Sequence, residues 1–460
     1  MSLRVLSIEL KRSVAPWAGA MSLATALTFL LSGSGQGTLT GWTAQWTSLA
    51  LQTRFLLNFL WPLAMGLGAL QGLRDHRSKV SELLTSTPRP ASHRAAALSS
   101  AMAITLASAF AVLVLVGGVQ VVARTEYTHL GWLPISLVGA LALAAGAVLG
   151  MGVGRTLPFV LTPPALAVSA LACMQLVYIS LTKVDASTGF TMQEPNRLSL
   201  LSPAQEARDV LLTLSTSVHV GQMIWLLGMT ATGFALLVTK RLRNRLIALT
   251  PILVGAAIAL CVFPSDPHRM YVVDKAAAHL VCDGPICVTR THQARLDALA
   301  GPGKDALRRM RGALGDYAPV SVREDTDAWP DGSTPRWSRR ITLFDFASDD
   351  TLLTAEGEEL SKALVGDSLV PNCSPRAWAS VNVSDISAQS IAVGWLFNDP
   401  EPSSSDIAYL SKDQLGKVRR VWSEFKDLPS AEQRTRVRAM YLGAVACKGD
   451  PLAVLDGGPA

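Results

Sequence analysis

Four residues stand at a spacing that suits a metal. They are His279, Cys282, Cys287 and His292, in the pattern H-x2-C-x4-C-x4-H. Imidazole nitrogen and thiolate sulfur are the usual zinc ligands. The same sulfurs also suit a disulfide, because Cys282, Cys287, Cys373 and Cys447 form an even set in the C-terminal part of the chain. Four cysteines allow three pairings. Cys282 and Cys287 are sequence neighbours, which favours Cys282–Cys287 with Cys373–Cys447. Disulfides are therefore the expectation, and no metal site is assigned. A second set of polar residues sits inside apolar stretches: Arg54, Asn58, Gln175, His219 and Gln222. Polar groups in a bilayer cost free energy and often mark a substrate path. Asn58, Gln175, His219 and Gln222 are the candidate path lining; for His219 a helix-packing hydrogen bond is the competing role. No catalytic residue is assigned, since the chain carries neither H-E-x-x-H nor G-x-S-x-G. Gly301-Pro302-Gly303-Lys304-Asp305 comes nearest to a phosphate-binding loop. It lacks the first glycine at the required spacing and has Asp in place of the metal-binding hydroxyl. It reads as a helix-breaking turn.

The elements that must carry these residues follow from composition. The chain has 460 residues, 49% hydrophobic and 17% charged, with a mean hydropathy of +0.31. Soluble domains carry about 25% charged residues, so an ordinary soluble enzyme is excluded, and so is a disordered chain. Residues 1–265 hold 18 Lys/Arg against 8 Asp/Glu, while residues 266–460 hold 23 against 27. An apolar, basic half therefore precedes a polar, slightly acidic one. That arrangement suits a membrane domain followed by a soluble domain, and not a nucleic-acid binder. A span needs about 20 mainly apolar residues. Seven stretches qualify or nearly so: Val14–Leu31, Phe55–Leu73, Ala95–Ala123, Leu133–Gly154, Leu157–Leu181, Ser217–Thr239 and Leu246–Phe263. With the N-terminus inside, inner segments hold 13 Lys/Arg and outer segments hold 5. Cytoplasmic loops collect Lys and Arg. The count predicts a cytoplasmic N-terminus and, after seven spans, an extracytoplasmic C-terminal domain.

The loop after the second span is basic and ends at Pro88 and Pro90. Lys79, Val80, Leu83 and Leu84 can share one side of a short helix, with Ser81, Glu82 and Thr85 completing the segment. The run Glu82-Leu83-Leu84-Thr85-Ser86-Thr87-Pro88, followed by Arg94, resembles the second-to-third-span loop of type-two ABC exporter permeases. The resemblance covers about the first 240 residues. It implies that residues 79–85 form a coupling helix docking into a separate ATP-binding subunit. It also implies an interfacial helix over residues 1–13 and a short external or re-entrant helix within Lys183–Thr216. The chain departs from that family by an extra span and a large C-terminal domain.

In that domain Thr291–Asp316 reads as a helix interrupted at Gly301-Pro302-Gly303, and Val320–Val322 and Ile341–Phe346 read as strands. Leu352–Val365, Asp406–Leu428 and a helix opening on a Ser430-x-x-Gln433 capping box complete it. The expected fold is mainly α. A polytopic membrane bundle of about seven spans (1–263) precedes a helix-rich α+β domain outside the membrane (264–460). The expected function is the permease subunit of an ATP-driven exporter in a bacterial cytoplasmic membrane. It would work as a homodimer, or as a heterodimer with a related permease, in contact with membrane lipid. It would have no cofactor of its own, ATP being bound by the partner subunit. The alternative is a membrane-anchored extracytoplasmic binding or assembly protein without transport activity.

Overall fold

The computed structural model describes residues 13–32, 41–77, 90–125, 127–184, 191–193, 196–206, 209–239, 241–327, 336–346, 350–373 and 382–458. The expected interfacial helix falls almost wholly outside them, and the expected coupling segment 79–85 wholly so. Two compact units result, Met1–Val272 and Val273–Ala460.

The first unit is helical: α1 (Ala15–Ser32), α2 (Trp46–Phe55), α3 (Leu57–Arg77), α4 (Ala91–Val122), α5 (Trp132–Thr156), α6 (Thr162–Leu181), α7 (Thr216–Val238), α8 (Leu242–Ile247) and α9 (Thr250–Val262). Six helices are long and apolar enough to cross a membrane, or seven if the bent pair α2–α3 counts as one. The expected spans thus recur as helices, with one difference. The second begins earlier and bends by 50° between Phe55 and Leu57. Pro62 lies inside α3. The bend instead separates apolar α3 from α2, whose Thr47, Ser48, Thr53 and Arg54 are all buried and need polar partners. Within Lys183–Thr216, where the resemblance implied a helix, the described residues form no α-helix before Thr216, the first residue of α7. They form an antiparallel pair, β1 (Thr182–Val184) with β2 (Thr191–Gln193), a 3-10 turn at Ser199–Leu201 and β3 (Leu212–Leu214). β3 pairs with β4 (Tyr271–Val273). Tyr271 also donates its hydroxyl to the Glu206 carbonyl at 2.6 Å.

Glycines set the helix spacing. A Cβ on Gly68 would lie 2.1 Å from the Ala147 carbonyl oxygen, and one on Gly72 2.2 Å from that of Met151. Reciprocally, a Cβ on Gly150 would lie 2.1 Å from the Met65 oxygen, and one on Gly154 2.3 Å from that of Ala69. The backbones of α3 and α5 are therefore in direct contact. The same device joins α5 to α7 at Gly152 and Gly233, and α7 to α9 at Gly228 and Gly255. Small residues at this spacing let helices approach where lipid provides no hydrophobic drive.

The second unit holds a four-stranded sheet in the order β5 (Leu280–Asp283), β6 (Ile286–Thr289), β7 (Ser321–Glu324), β8 (Ile341–Phe344). β5–β6 is an antiparallel hairpin; β6–β7 and β7–β8 are parallel. β6 is buried at all four residues. Helix α10 (Leu296–Leu314) covers it and runs unbroken through Gly301-Pro302-Gly303, where a break was expected. Gly303 explains the placement, since a Cβ there would lie 2.6 Å from the Ile286 side chain. Sheet packing outweighs the cost of an internal proline. The expected helix Leu352–Val365 is two, α11 (Asp350–Thr354) and α12 (Gly357–Leu369). Arg295 donates to the Leu352 and Ala355 carbonyls between them. The remaining helices are α13 (Val383–Phe397), α14 (Lys412–Lys426), α15 (Ser430–Val445) and α16 (Pro451–Leu455).

The expected capping box at Ser430 does not form, because Pro429 occupies the N-cap of α15. Gln433 instead donates to the carbonyls of Phe425, Lys426 and Leu428 and accepts from the Trp395 indole at 2.8 Å. It thereby caps the end of the preceding helix. A capping box does occur at Ser411 and Gln414. Both disulfides join the favoured partners, Cys282–Cys287 and Cys373–Cys447.

Two stability outcomes follow. Gly150→Ala should destabilise the first unit by about 1–3 kcal/mol through overpacking. Exposed Gly416→Ala in α14, where a Cβ meets nothing within 4 Å, should stabilise the second by about 0.5–1 kcal/mol. Thermal melts of the detergent-solubilised variants read both. Separately, burial, with Asp450 adding to it, pushes the Asp385 carboxyl up to about 6. Its unfolded value is near 3.9. The folded state therefore binds more protons between those values, and this group's destabilising effect is relieved as pH falls through 6. Asp385→Asn should stabilise at pH 7 by about 1 kcal/mol, allowing for its partial exposure. That gain should vanish by pH 4 in paired melts.

Candidate functional site

Arg54 is the most constrained polar residue of the first unit. It stands in the last turn of α2, where a cation complements the helix dipole, and its side chain is fully buried. Nε and Nη2 donate to the Pro203 carbonyl at 3.0 and 2.6 Å, and Nη2 donates to Gln222 Oε1 at 2.9 Å. Gln222, on α7, in turn donates from Nε2 to the carbonyls of Leu200 and Ser202 at 3.0 and 3.1 Å. Arg54 Nη1 has no partner among the described residues. The cation is therefore held by neutral oxygens alone. The knot ties three elements that are distant in sequence: α2, the segment 200–203 and α7.

A cavity of ≈ 70 Å³ lies beside this knot. Asn58 of α3, Met174 and Tyr178 of α6, Ser202, Gln205 and Glu206 line part of it. Asn58 donates to the Phe55 carbonyl at 3.1 Å. Thus two of the four expected path residues come together here, Asn58 at the cavity and Gln222 behind it. His219 precedes Gln222 by one turn on α7, and its Nδ1 is buried without a hydrogen-bond partner among the described residues. Gln175 is exposed on the outer face of α6. Its neighbour Met174 is the residue that points inward to the cavity. The carbonyls of Leu200, Ser202 and Pro203 carried no sequence signal, because any residue can supply one.

The spaced set His279, Cys282, Cys287 and His292 does not converge on a ligand position. The two sulfurs are bonded to each other, across directly opposed positions of the β5–β6 hairpin. His279 is exposed and His292 is buried. His292 Nδ1 meets Glu324 Oε1 at 2.7 Å, and Glu324 Oε2 accepts the Thr289 N–H at 2.7 Å. Glu324 Oε1 also accepts the Thr289 hydroxyl at 3.1 Å. Both ionisable side chains are only 4% exposed, so this pair pins β6 to β7 inside the core. Glu324 lies too far along the chain from His292 for spacing to reveal it. Trp395 and Trp422 pack with the core.

Compared with protein-family models, curated proteins and solved structures, the chain matches none. The site's own geometry therefore carries what can be said of its role.

The knot makes a measurable prediction. Gln222→Leu removes an acceptor from a buried cation and strands two carbonyls, at a cost of about 2–4 kcal/mol. Adding Arg54→Met removes the charge, so the double variant should be no less stable than Gln222→Leu alone. A double-mutant cycle by thermal unfolding reads this as strong non-additivity.

Proposed function

We propose that this chain is the membrane-spanning permease subunit of an ATP-driven exporter. The N-terminus would be cytoplasmic and residues 264–460 would lie outside. The observation that carries the reading is the bundle itself. Six or seven apolar helices interlock through α3, α5, α7 and α9, far more than an anchor requires. A bundle packed backbone to backbone transmits displacement as a rigid body, because close-packed contacts do not deform continuously. Energy would enter at residues 79–85, the loop joining α3 to α4, by docking of a separate ATPase. The two disulfides of the second unit support an oxidising, extracytoplasmic placement for it. The chain would act as a homodimer or with a related permease.

A second reading has its own support. The second unit has an independent core, which suits a binding or assembly module held at the membrane by the bundle.

Mild-detergent purification of the tagged chain from its native membrane distinguishes the two. Wild type should bring down an ATP-binding subunit in stoichiometric amount, and Glu82→Lys should lose it. Absence of an ATPase from both preparations would sink the exporter reading and leave the anchored module.

A further inference from the structure

The sheet of the second unit sets a cation beside a disulfide. Register places Cys282 opposite Cys287, Cys287 beside Arg323, and Arg323 beside Leu343. Residues paired across strands lie on one face of a sheet, with neighbouring strands about 4.8 Å apart. Helix α10 covers the other face, where Gly303 makes room for the Ile286 side chain and Lys304 Nζ donates to Asp283 Oδ2 at 2.6 Å. The disulfide and the Arg323 side chain therefore share the face away from α10. Arg323 is half-buried, and its Nε is buried without a hydrogen-bond partner. Its guanidinium makes no hydrogen bond or ion pair among the described residues. The adjacent carboxylate, Glu324, does not answer it, being committed to Thr289 and His292. A partly desolvated cation without a counter-ion favours negative charge formed next to it. The group that can form such a charge here is the Cys287 sulfur, as a thiolate.

The two sulfurs are unequal in access. Cys282 is exposed, whereas Cys287 is only 5% exposed. An incoming thiolate therefore reaches Cys282, and Cys287 is the leaving group. The hairpin itself does not need the bond. Asp283 pairs with Ile286, which leaves Gly284 and Pro285 as a two-residue turn. Gly284 takes φ +62, and the proline after it excludes a second positive φ, so the turn is of the II′ kind that suits a hairpin. The Val322 N–H also donates to the Pro285 carbonyl at 3.0 Å and ties the turn to β7. The bond spans a sequence separation of 5, against 74 for Cys373–Cys447. It therefore restricts the unfolded chain far less.

We propose that Cys282–Cys287 is a site of thiol–disulfide exchange, reduced by a protein dithiol that attacks Cys282 while Arg323 stabilises Cys287 as the leaving thiolate. A lower leaving-group pKa and an accessible sulfur both speed such exchange. One thiolate of the dithiol bonds to Cys282 Sγ. The Cys282–Cys287 bond breaks, and its electron pair leaves on Cys287 Sγ. The second thiol of the dithiol loses its proton to solvent and attacks the first, closing the dithiol to a disulfide. Cys282 departs as a thiolate and takes a proton from solvent, and Cys287 stays as the thiolate beside Arg323. Two electrons pass from the dithiol to the cystine. The inference does not depend on the exporter reading, and its test uses the purified chain without any ATPase.

The experiment is reduction of the full, folded chain in maltoside micelles by reduced thioredoxin, the dithiol probe. The free thiols Cys173 and Cys261 are first blocked with N-ethylmaleimide. New thiols are then quenched with iodoacetamide and read by peptide mass spectrometry. Cys282–Cys287 should open at least ~10-fold faster than Cys373–Cys447. Arg323→Gln should slow the opening of Cys282–Cys287 by about fivefold or more and leave Cys373–Cys447 unchanged. Arg323→Lys, which keeps the charge, should return the rate to within about twofold of wild type. Melting temperatures confirm that both variants are folded. Thioredoxin lacking its resolving cysteine should be trapped on Cys282 of the wild-type chain, a result that needs no variant of Arg323. Equal opening of the two disulfides would overturn the proposal. So would a rate indifferent to Arg323→Gln, or trapping on Cys287.

Discussion

Backbone contact between helices is the constraint on which the first unit depends. At Gly68, Gly72, Gly150 and Gly154 there is no room for a single methyl group between α3 and α5. The contact extends through Gly152 and Gly233 to α7, and through Gly228 and Gly255 to α9. The four helices thus form one continuous row. Dispersion between close-packed surfaces, not apolar burial from water, is what such a row offers inside lipid. The surface is correspondingly apolar around α6 and α9, which carry the least buried windows.

The polar groups that enter the bundle at Arg54 and Gln222 are held by hydrogen bonds, although Arg54 Nη1 has no partner among the described residues. The bend between α2 and α3 brings Arg54 to the Pro203 carbonyl and to Gln222 on α7. A second set of contacts holds the start of α2. Arg124 donates to the Thr43 hydroxyl at 3.1 Å, and Thr47 meets the His129 ring at 2.8 Å. A polar half-helix is tolerated in such a setting because neighbouring protein, not lipid, satisfies it. The segment that receives Arg54 also lines the neighbouring cavity, through Ser199 and Ser202, with Gln205 just beyond it.

The second unit packs around a core of its own. Its core gathers Val288, Val322, Phe344, Met310, Leu364 and Tyr441 around the sheet. The buried Glu324 carboxylate accepts from a backbone N–H, a hydroxyl and His292. Such a pair specifies strand register more than it adds stability, because desolvation offsets much of its attraction. The Cys373–Cys447 bond closes a separation of 74 residues, which restricts the unfolded chain by about 4 kcal/mol in the chain-entropy model.

The long apolar helices were legible in the sequence, because an apolar run of about 20 residues satisfies its own backbone groups as a helix. The two disulfide pairs followed from cysteine placement. What depended on through-space partners was not legible. The bend at Leu56 rather than Pro62, the passage of α10 through Pro302, and the use of Gln433 as a C-terminal cap each reflect a neighbour remote in sequence. Asn58 and Gln222 stood out as polar residues in apolar runs, and so did the exposed Gln175. Periodicity alone could not say which face each would occupy. The Pro203 carbonyl that accepts from Arg54, and those of Leu200 and Ser202 that accept from Gln222, are backbone groups common to all residues and so invisible in any pattern of side chains. Only the tertiary structure could choose among them, because a hydrogen bond depends on distance and direction in space and not on position along the chain.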